Sequence, residues 1–158
     1  MANTFAGAKI YLGTTAQATN RNEFEADTYI EIEEVSNMGE LGSAANVLQF
    51  PLVSDDFVVK AKGTRNAGDP ALVVGRVSNA PGQVALRAAE RTKVYYNFKL
   101  ELEDAPDELT TNTVIYFRAL VAGANNAFGG NEDFVTETYT LGIYPRPLII
   151  EQEPIPSP

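Results

Sequence analysis

The stretch PGQVALRAAERTKVYYNFKLELED, Pro81–Asp104, contains two different periodicities. Its first part predicts an amphipathic helix over about residues 81–92, with Pro81 in the first turn, where a missing N–H costs nothing. Its second part, Val94–Glu103, alternates apolar and polar residues, as a half-buried β-strand does. A short helix running into a long strand is therefore the pattern from which the fold is predicted.

This helix is expected to lie on a sheet or across its open end. A helix of about twelve residues is marginal alone in water, so packing has to stabilise it. Asn79 or Ser78 is expected to supply the N-cap oxygen. The predicted buried side consists of Val84, Ala85, Leu86, Ala88 and Ala89, and the outer side of Arg87, Glu90 and Arg91.

Most of the remaining chain has the pattern of β-strands joined by turns. The predicted fold class is mainly β, a β-sandwich or partly open barrel with one flanking α-helix and a long loop in the N-terminal half. Further strands are predicted at Lys9–Gly13, Tyr29–Val35, Asp56–Lys62, Ala71–Ser78, Thr113–Ala122 and Phe134–Tyr144. Connections are predicted at Thr14–Asp27, Ser36–Phe50, Gly63–Pro70 and Ala105–Asn112, and a hairpin tip at Gly123–Asp133.

Length and composition favour a single domain. The 158 residues, 44% of them hydrophobic, can build one sizeable core. We expect one domain over 1–158, with a flexible N-terminal arm of about residues 1–8 and an extended Pro-rich tail of about residues 145–158. No apolar run is long enough for a membrane-spanning helix. The N-terminus lacks a secretory signal pattern, so the expected compartment is a cytoplasm.

The composition argues against an enzyme. Cysteine and histidine are both absent, which removes thiolate nucleophiles, the usual zinc ligands and the commonest general base. We expect no catalytic residues, no cofactor and no metal. Neighbouring carboxylates fall in turns or on opposite faces of a strand, where acids are ordinary; they are Asp55 with Asp56, Asp104 with Asp107, and Glu132 with Asp133.

The formal net charge of −9 argues against tight binding to nucleic acid. Such binding needs clustered Lys and Arg, and the sequence shows no such cluster. A charge of this sign favours solubility and repels a phosphate backbone.

The Ser36–Phe50 segment is too long for a hairpin turn and is rich in apolar residues. On a free loop such residues would be unusual, so a contact between subunits is one interpretation. A loop folded over its own domain is the other. The candidate contact residues are Met38, Leu41, Val47 and Leu48.

The order of these elements resembles the tail tube (major tail) proteins of long-tailed bacteriophages. The resemblance rests on three pieces and spans roughly Ile10 to Tyr144. They are YIEIEEV followed by a Gly-containing loop, DFVVKAKGTRNAGD, and a GQ-x-x-L-x-x-A helix, Gly82–Ala89, running into a strand rich in Tyr, Phe and Lys.

The resemblance implies a structural virion protein that is made in the host cytoplasm and located in the tail. It implies six-fold rings that stack into a tube, the conduit for DNA ejection, with a long loop packed on the adjacent ring. The implied partners are further copies of the chain, tail initiator or tip and tail terminator proteins, and a tape measure protein in the lumen. DNA would pass without specific binding because the lumen of such tubes is commonly acidic. The candidate residues for lining the lumen are Glu31 with Glu33 and Glu101 with Glu103. The alternative for each pair is a solvated outer face, where the carboxylates would have no such role.

Three other interpretations remain open. One is a capsid decoration or stabilising protein, which is also β-rich. Another is a β-sandwich ligand-binding module, for which one loop offers oxygen ligands for calcium at Asn125, Asn126, Asn131, Glu132 and Asp133. The third is the tube of a contractile or secretion-like injection machine.

Overall fold

The computed structural model describes residues 6–40, 44–51, 53, 58–66, 69–144 and 146–155. Within these ranges the chain forms two helices, α1 Arg21–Glu25 and α2 Pro81–Glu90. No helix in the described ranges is long and apolar enough to cross a membrane. The strands are β1 Lys9–Leu12, β2 Ile30–Glu31, β3 Val35–Asn37, β4 Ala44–Pro51, β5 Val58–Asn66, β6 Ala71–Gly75, β7 Tyr96–Glu101, β8 Val114–Ala127, β9 Thr136–Ile143 and β10 Leu148–Ile150.

Eight of these strands form one antiparallel sheet. Its order is β2-β1-β7-β8-β9-β6-β3, and β10 pairs with the first residues of β8, in line with β9. Strands β4 and β5 form a separate two-stranded sheet. The predicted class, mainly β with a flanking helix, is confirmed, and the barrel is open rather than closed.

The two outer strands of the sheet are neighbours in the sequence, and this forces the sheet to curl. Strands lie about 4.8 Å apart, so seven strands laid flat would separate β2 from β3 by about 29 Å. The link 32–34 joins them, and four Cα–Cα steps span at most about 14 Å. Ile32 N donates to Ile10 O on one side of the link, and Gly75 N donates to Glu34 O on the other, at 2.9 and 2.8 Å. The link therefore draws the two edges together and nearly closes the barrel.

Helix α2 covers this seam. Gln83 is fully buried, and its Nε2 donates to Glu33 O in the link and to Gly75 O at the end of β6, each at 2.9 Å. Its Oε1 accepts from Val77 N at 2.8 Å. Gly82 packs so closely on the link that a Cβ there would meet the Glu31 carbonyl oxygen. A buried amide with these partners fixes the helix across the seam.

The predicted helix is confirmed, but its buried side and its cap are corrected. Its buried residues are Gly82, Gln83, Leu86 and Ala89, whereas Val84 is 48% exposed and Ala88 is exposed. The buried face of the helix is shifted towards the link, because Gly82 allows close packing there and Gln83 hydrogen-bonds to the link. Neither Asn79 nor Ser78 caps the helix; Ala80 is the N-cap residue and makes no side-chain cap hydrogen bond.

The core lies between α2 and the inner face of the curled sheet. Phe98 and Phe117 stack there with ring centroids 5.1 Å apart. The other face of β8 is covered by the chain segment that carries α1, through Phe24 stacked on Tyr116 at 5.3 Å. The main core consists of Ile10, Leu12, Ile32, Met38, Leu72, Val74, Leu86, Ala89, Phe98, Leu100, Phe117, Ala119, Val121, Tyr139, Leu141 and Ile143.

Several of the predicted segments differ in the structure, among them the hairpin tip Gly123–Asp133, whose first residues up to Ala127 belong to β8. Tyr29–Val35 is not one strand, because the chain leaves one sheet edge for the other at the link, where Glu34 has a φ of 60°. Thr14–Asp27 contains α1, and Ser36–Phe50 contains β3 and most of β4. Strand β5 continues to Asn66, into the predicted turn. In the described part of the tail, residues 146–155, the chain forms β10.

Candidate subunit-contact surface

Strands β4 and β5 form a hairpin that, within the described ranges, pairs with no other strand. Directly opposite residues of an antiparallel pair lie on the same face. Leu48 lies opposite Ala61 and Phe50 opposite Val59. These four residues form the apolar face of the hairpin, and Leu48 and Phe50 are 57% and 67% exposed.

The opposite side of the hairpin carries two lysines between apolar side chains. Val47 lies opposite Lys62, Gln49 opposite Lys60, and Pro51 opposite Val58. All six residues are exposed, and we call this side the lysine face. An isolated two-stranded hairpin is at best marginally stable in water, and exposed apolar patches mark interaction surfaces. Both faces of the hairpin are therefore suited to contact another molecule.

The structure separates the four predicted contact residues. Val47 and Leu48 lie on the two faces of the hairpin and are exposed. Met38 is 3% exposed and packs in the core of its own chain, so the structure does not present it to a neighbour. Leu41 lies outside the described residues.

Two of the four predicted lumen acids share a face of the sheet. Tyr11 lies opposite Glu31 on β2 and opposite Lys99 on β7, and Lys9 lies opposite Glu101. Burial, and then the nearby Glu101 and Glu31 carboxylates, raise the pKa of Tyr11. Glu31 and Glu101 therefore lie on one face, but with lysines between them.

Of the other two acids, Glu103 lies near Glu101 and only Glu33 lies elsewhere. Glu103 follows the end of β7 and lines a cleft of about 410 Å³ together with Lys9 and Glu101. Glu33 lies in the link, and one of its carboxylate oxygens is buried without a hydrogen-bond partner in the described part of the chain. Its main-chain oxygen accepts from Gln83.

A buried ionic network at the inner face was missed by the sequence reasoning. Glu137 is 3% exposed and accepts a hydrogen bond from Arg87 Nε at 3.1 Å and from the Tyr139 hydroxyl at 2.9 Å. Arg76 lies 3.4 Å from the same carboxylate. Burial, and then the hydrogen bond with Glu137, raise the pKa of Tyr139 to about 12. The sequence signal for this network is the alternation along β9, which places Glu137 on the same inward face as Tyr139 and Leu141.

A second polar network fixes the covering segment to the outer face. Asp27 accepts hydrogen bonds from Thr14 N at 2.9 Å, Thr14 Oγ1 at 2.6 Å and Asn97 Nδ2 at 2.8 Å. Burial alone would raise the pKa of Asp27, but these hydrogen bonds outweigh it and lower that pKa. Arg118 Nε donates to Asn97 Oδ1 at 3.1 Å and extends the network across the sheet.

The oxygen ligands of the calcium alternative do not lie on one loop, because Asn125 and Asn126 belong to β8 and pair with β9. Asp133 Oδ2 accepts from Gly130 N at 2.8 Å. In the described residues no group of three or more acidic side chains is placed to hold a metal ion.

No protein family model and no curated protein matches this chain. Solved structures do match it. A chain of the anti-feeding prophage baseplate, in a six-fold symmetrised structure, superposes with a TM-score of 0.69 at 12% identity, over 96% of this chain and 98% of that chain. The SPP1 tail tube gives a TM-score of 0.62 at 13% identity, over 90% and 75%. A sheath/tube terminator of an extracellular contractile injection system gives 0.64 at 13% identity, over 95% and 97%.

The chain therefore has the fold found in tail tube, tube-terminator and baseplate structures, and the sequence resemblance is confirmed at the level of the fold. Because the sequence identities are only 12% and 13%, the similarity to these structures is a similarity of fold.

Proposed function

We propose that this protein is a structural subunit of a phage tail tube that self-assembles into six-fold rings stacked around a lumen, through which DNA is ejected. The fold shared with the SPP1 tail tube and with a six-fold symmetrised baseplate chain supports this proposal. On this proposal the protein is located in the virion tail, is made in the host cytoplasm and has no catalytic role.

The observation that carries the proposal is the hairpin β4–β5. Its apolar face, with Leu48 and Phe50, is exposed in the single chain. Burying apolar surface contributes roughly 25 cal/mol per Å², so covering this face in a neighbouring subunit stabilises an assembly. A ligand-binding module that acts as a single chain offers no comparable reason for an exposed apolar hairpin.

The further partners follow from the same proposal. Initiator or tip and terminator proteins would start and end the tube, and a tape measure protein would occupy its lumen. The net charge of −9 favours passage of DNA without binding. Glu31 and Glu101, which share a face, are the acidic candidates for the lumen wall.

Light scattering coupled to size-exclusion chromatography tests the ring. Six chains of 17.1 kDa give a ring of about 103 kDa. We expect that mass, or multiples of it, to appear as the protein concentration rises. A single 17.1 kDa species at all concentrations would argue against self-assembly.

A subunit at the end of a tube is the second candidate function. Two of the similar structures are a sheath/tube terminator and a tube-terminating cap. A tube subunit forms tubes many rings long, whereas a terminal subunit forms single rings that do not stack. Particle length in electron micrographs separates the two.

A further inference from the structure

The loop between β7 and β8 and the segment after β10 run side by side. Ile155 N donates to Leu109 O at 2.7 Å, and Thr110 pairs with Pro154. This register sets Leu109 opposite Ile155, with their side chains on one side of the pair. Leu109 is 73% exposed and Ile155 48% exposed. The single chain therefore presents an apolar pair at this position.

Side-chain hydrogen bonds fix the segment after β10 to α1 and to the loop that follows β7. Arg21 of α1 binds both carboxylate oxygens of Glu153, at 2.6 and 3.1 Å. Gln152 Nε2 donates to Asp104 O at 2.6 Å. A partner would therefore meet a surface that is already ordered, and preorganisation lowers the cost of binding.

Three exposed carboxylates lie close to the apolar pair along the chain. Asp107 and Glu108 immediately precede Leu109, Glu151 lies four residues before Ile155, and all three acids are exposed. Asp107, Glu108, Leu109, Glu151 and Ile155 together are called the acidic surface.

The lysine face of the hairpin has the complementary composition. Lys60 and Lys62 lie there with the exposed apolar side chains of Val47 and Val58. We propose that the lysine face of one copy docks on the acidic surface of a second copy. This inference rests on the proposed function, since it names one contact by which subunits would join. Its basis is complementarity: lysines and apolar residues on one surface meet carboxylates and apolar residues on the other.

The second copy, rather than an unrelated protein, is favoured because both halves of the contact occur in the same chain. Because the chain has a net charge of −9, every other copy presents acidic surface to the two lysines of the hairpin. The contact leaves the apolar face of the hairpin free for a further neighbour.

Cysteine cross-linking tests the contact directly, because the chain has no cysteine of its own. One preparation carries Lys60→Cys or Lys62→Cys, and a second carries Glu108→Cys or Glu151→Cys. A disulfide requires Cβ atoms about 3.5–4.5 Å apart, so at least one mixed pair should cross-link several-fold more than controls. The controls are Lys93→Cys and Glu132→Cys, which lie on exposed positions outside both surfaces. Equal yields in all pairs would overturn the contact.

Exchange of charge provides an independent test. A variant with Lys60→Glu and Lys62→Glu should fail to assemble alone, as should a variant with Glu108→Lys and Glu151→Lys. An equal mixture of the two should assemble, because every contact then joins opposite charges. If the unaltered chain assembles and the mixture does not, this contact is wrong and the tube proposal stands. If the unaltered chain does not assemble under any condition, both are wrong.

Discussion

Gly82 occupies the point at which helix α2 touches the link between the two sheet edges. A Cβ at this position would meet the Glu31 carbonyl oxygen and lie 2.8 Å from Ile32 Cα. Both obstacles are backbone atoms, so neither can rotate aside as a side chain would. Close contact with the backbone therefore requires a glycine at position 82, and the hydrogen bonds of the neighbouring Gln83 require its amide side chain.

Gly82→Ala is expected to destabilise the fold by about 2–3 kcal/mol, because the helix has to move away from the link. Gly123→Ala is the matched control, since a Cβ there would meet no atom within 4 Å. Thermal denaturation of the two variants measures the difference. Equal melting temperatures would show that α2 does not pack on the link as described.

Asp27 provides a pH-dependent test of the outer network. Its pKa is lowered in the folded chain, so its contribution to stability is present above the unfolded value of about 3.9 and is lost as the pH falls through the folded pKa. Asp27→Asn is expected to lose about 1–2 kcal/mol at pH 7, with the gap to wild type closing below about pH 4. Urea denaturation at pH 7 and pH 3 measures this gap.

The control for that experiment is Asp69→Asn, which removes one exposed carboxylate. It is expected to change stability little at either pH. A gap for Asp27→Asn that stays constant from pH 7 to pH 3 would contradict the role given to the charged form of Asp27.

At the scale of elements, the hairpin β4–β5 is the part of the chain that presents an apolar face outside the main core. Its apolar face is formed by Leu48, Phe50, Val59 and Ala61 and is exposed. The main core does not include these residues. Changing them should therefore affect assembly and leave the folding of the chain unaltered.

Leu48→Ser combined with Phe50→Ser is expected to abolish ring formation while changing the free energy of unfolding by less than about 1 kcal/mol. Phe128→Ser with Phe134→Ser is the control pair, since both side chains are exposed at the β8–β9 tip. Light scattering reports assembly and circular dichroism reports folding. Normal rings from the Leu48 and Phe50 variant would refute the contact.

Elements with a clear period were predictable from the sequence. Helix α2 and strand β7 were found because their alternations are regular, and the GQ-x-x-L-x-x-A pattern matches the buried stripe of Gly82, Gln83, Leu86 and Ala89. Helix α1 was missed because a five-residue helix with one buried side chain, Phe24, has no measurable period. Strand β4 was missed because Val47, Leu48 and Phe50 are apolar on both faces, so the alternation disappears.

Other features depend on pairings that local patterns do not contain. Tyr29–Val35 alternates like one strand, yet its two ends pair with opposite edges of the sheet. The buried role of Met38 likewise follows from the curl of the sheet. The acidic surface requires the register of Leu109 with Ile155, residues 46 positions apart in the printed sequence.

At the scale of the whole molecule, the net charge opposes packing of many copies. The screening length is about 30 Å at 0.01 M salt and about 8 Å at 0.15 M, so repulsion between whole subunits is strong only at low salt. Ion pairs in close contact are screened less. Stacking of rings is therefore expected to increase with salt, and tube length in micrographs measures it. Tubes of equal length at both salt concentrations would contradict this expectation.

The central claim is that copies of this chain form rings that stack into a tube. Negative-stain electron microscopy of the purified protein at 0.01 M and 0.15 M salt tests it most directly. We expect six-fold rings at low salt and hollow tubes built from them at the higher concentration. Isolated single chains at both salt concentrations, with no rings at any protein concentration, would contradict the claim.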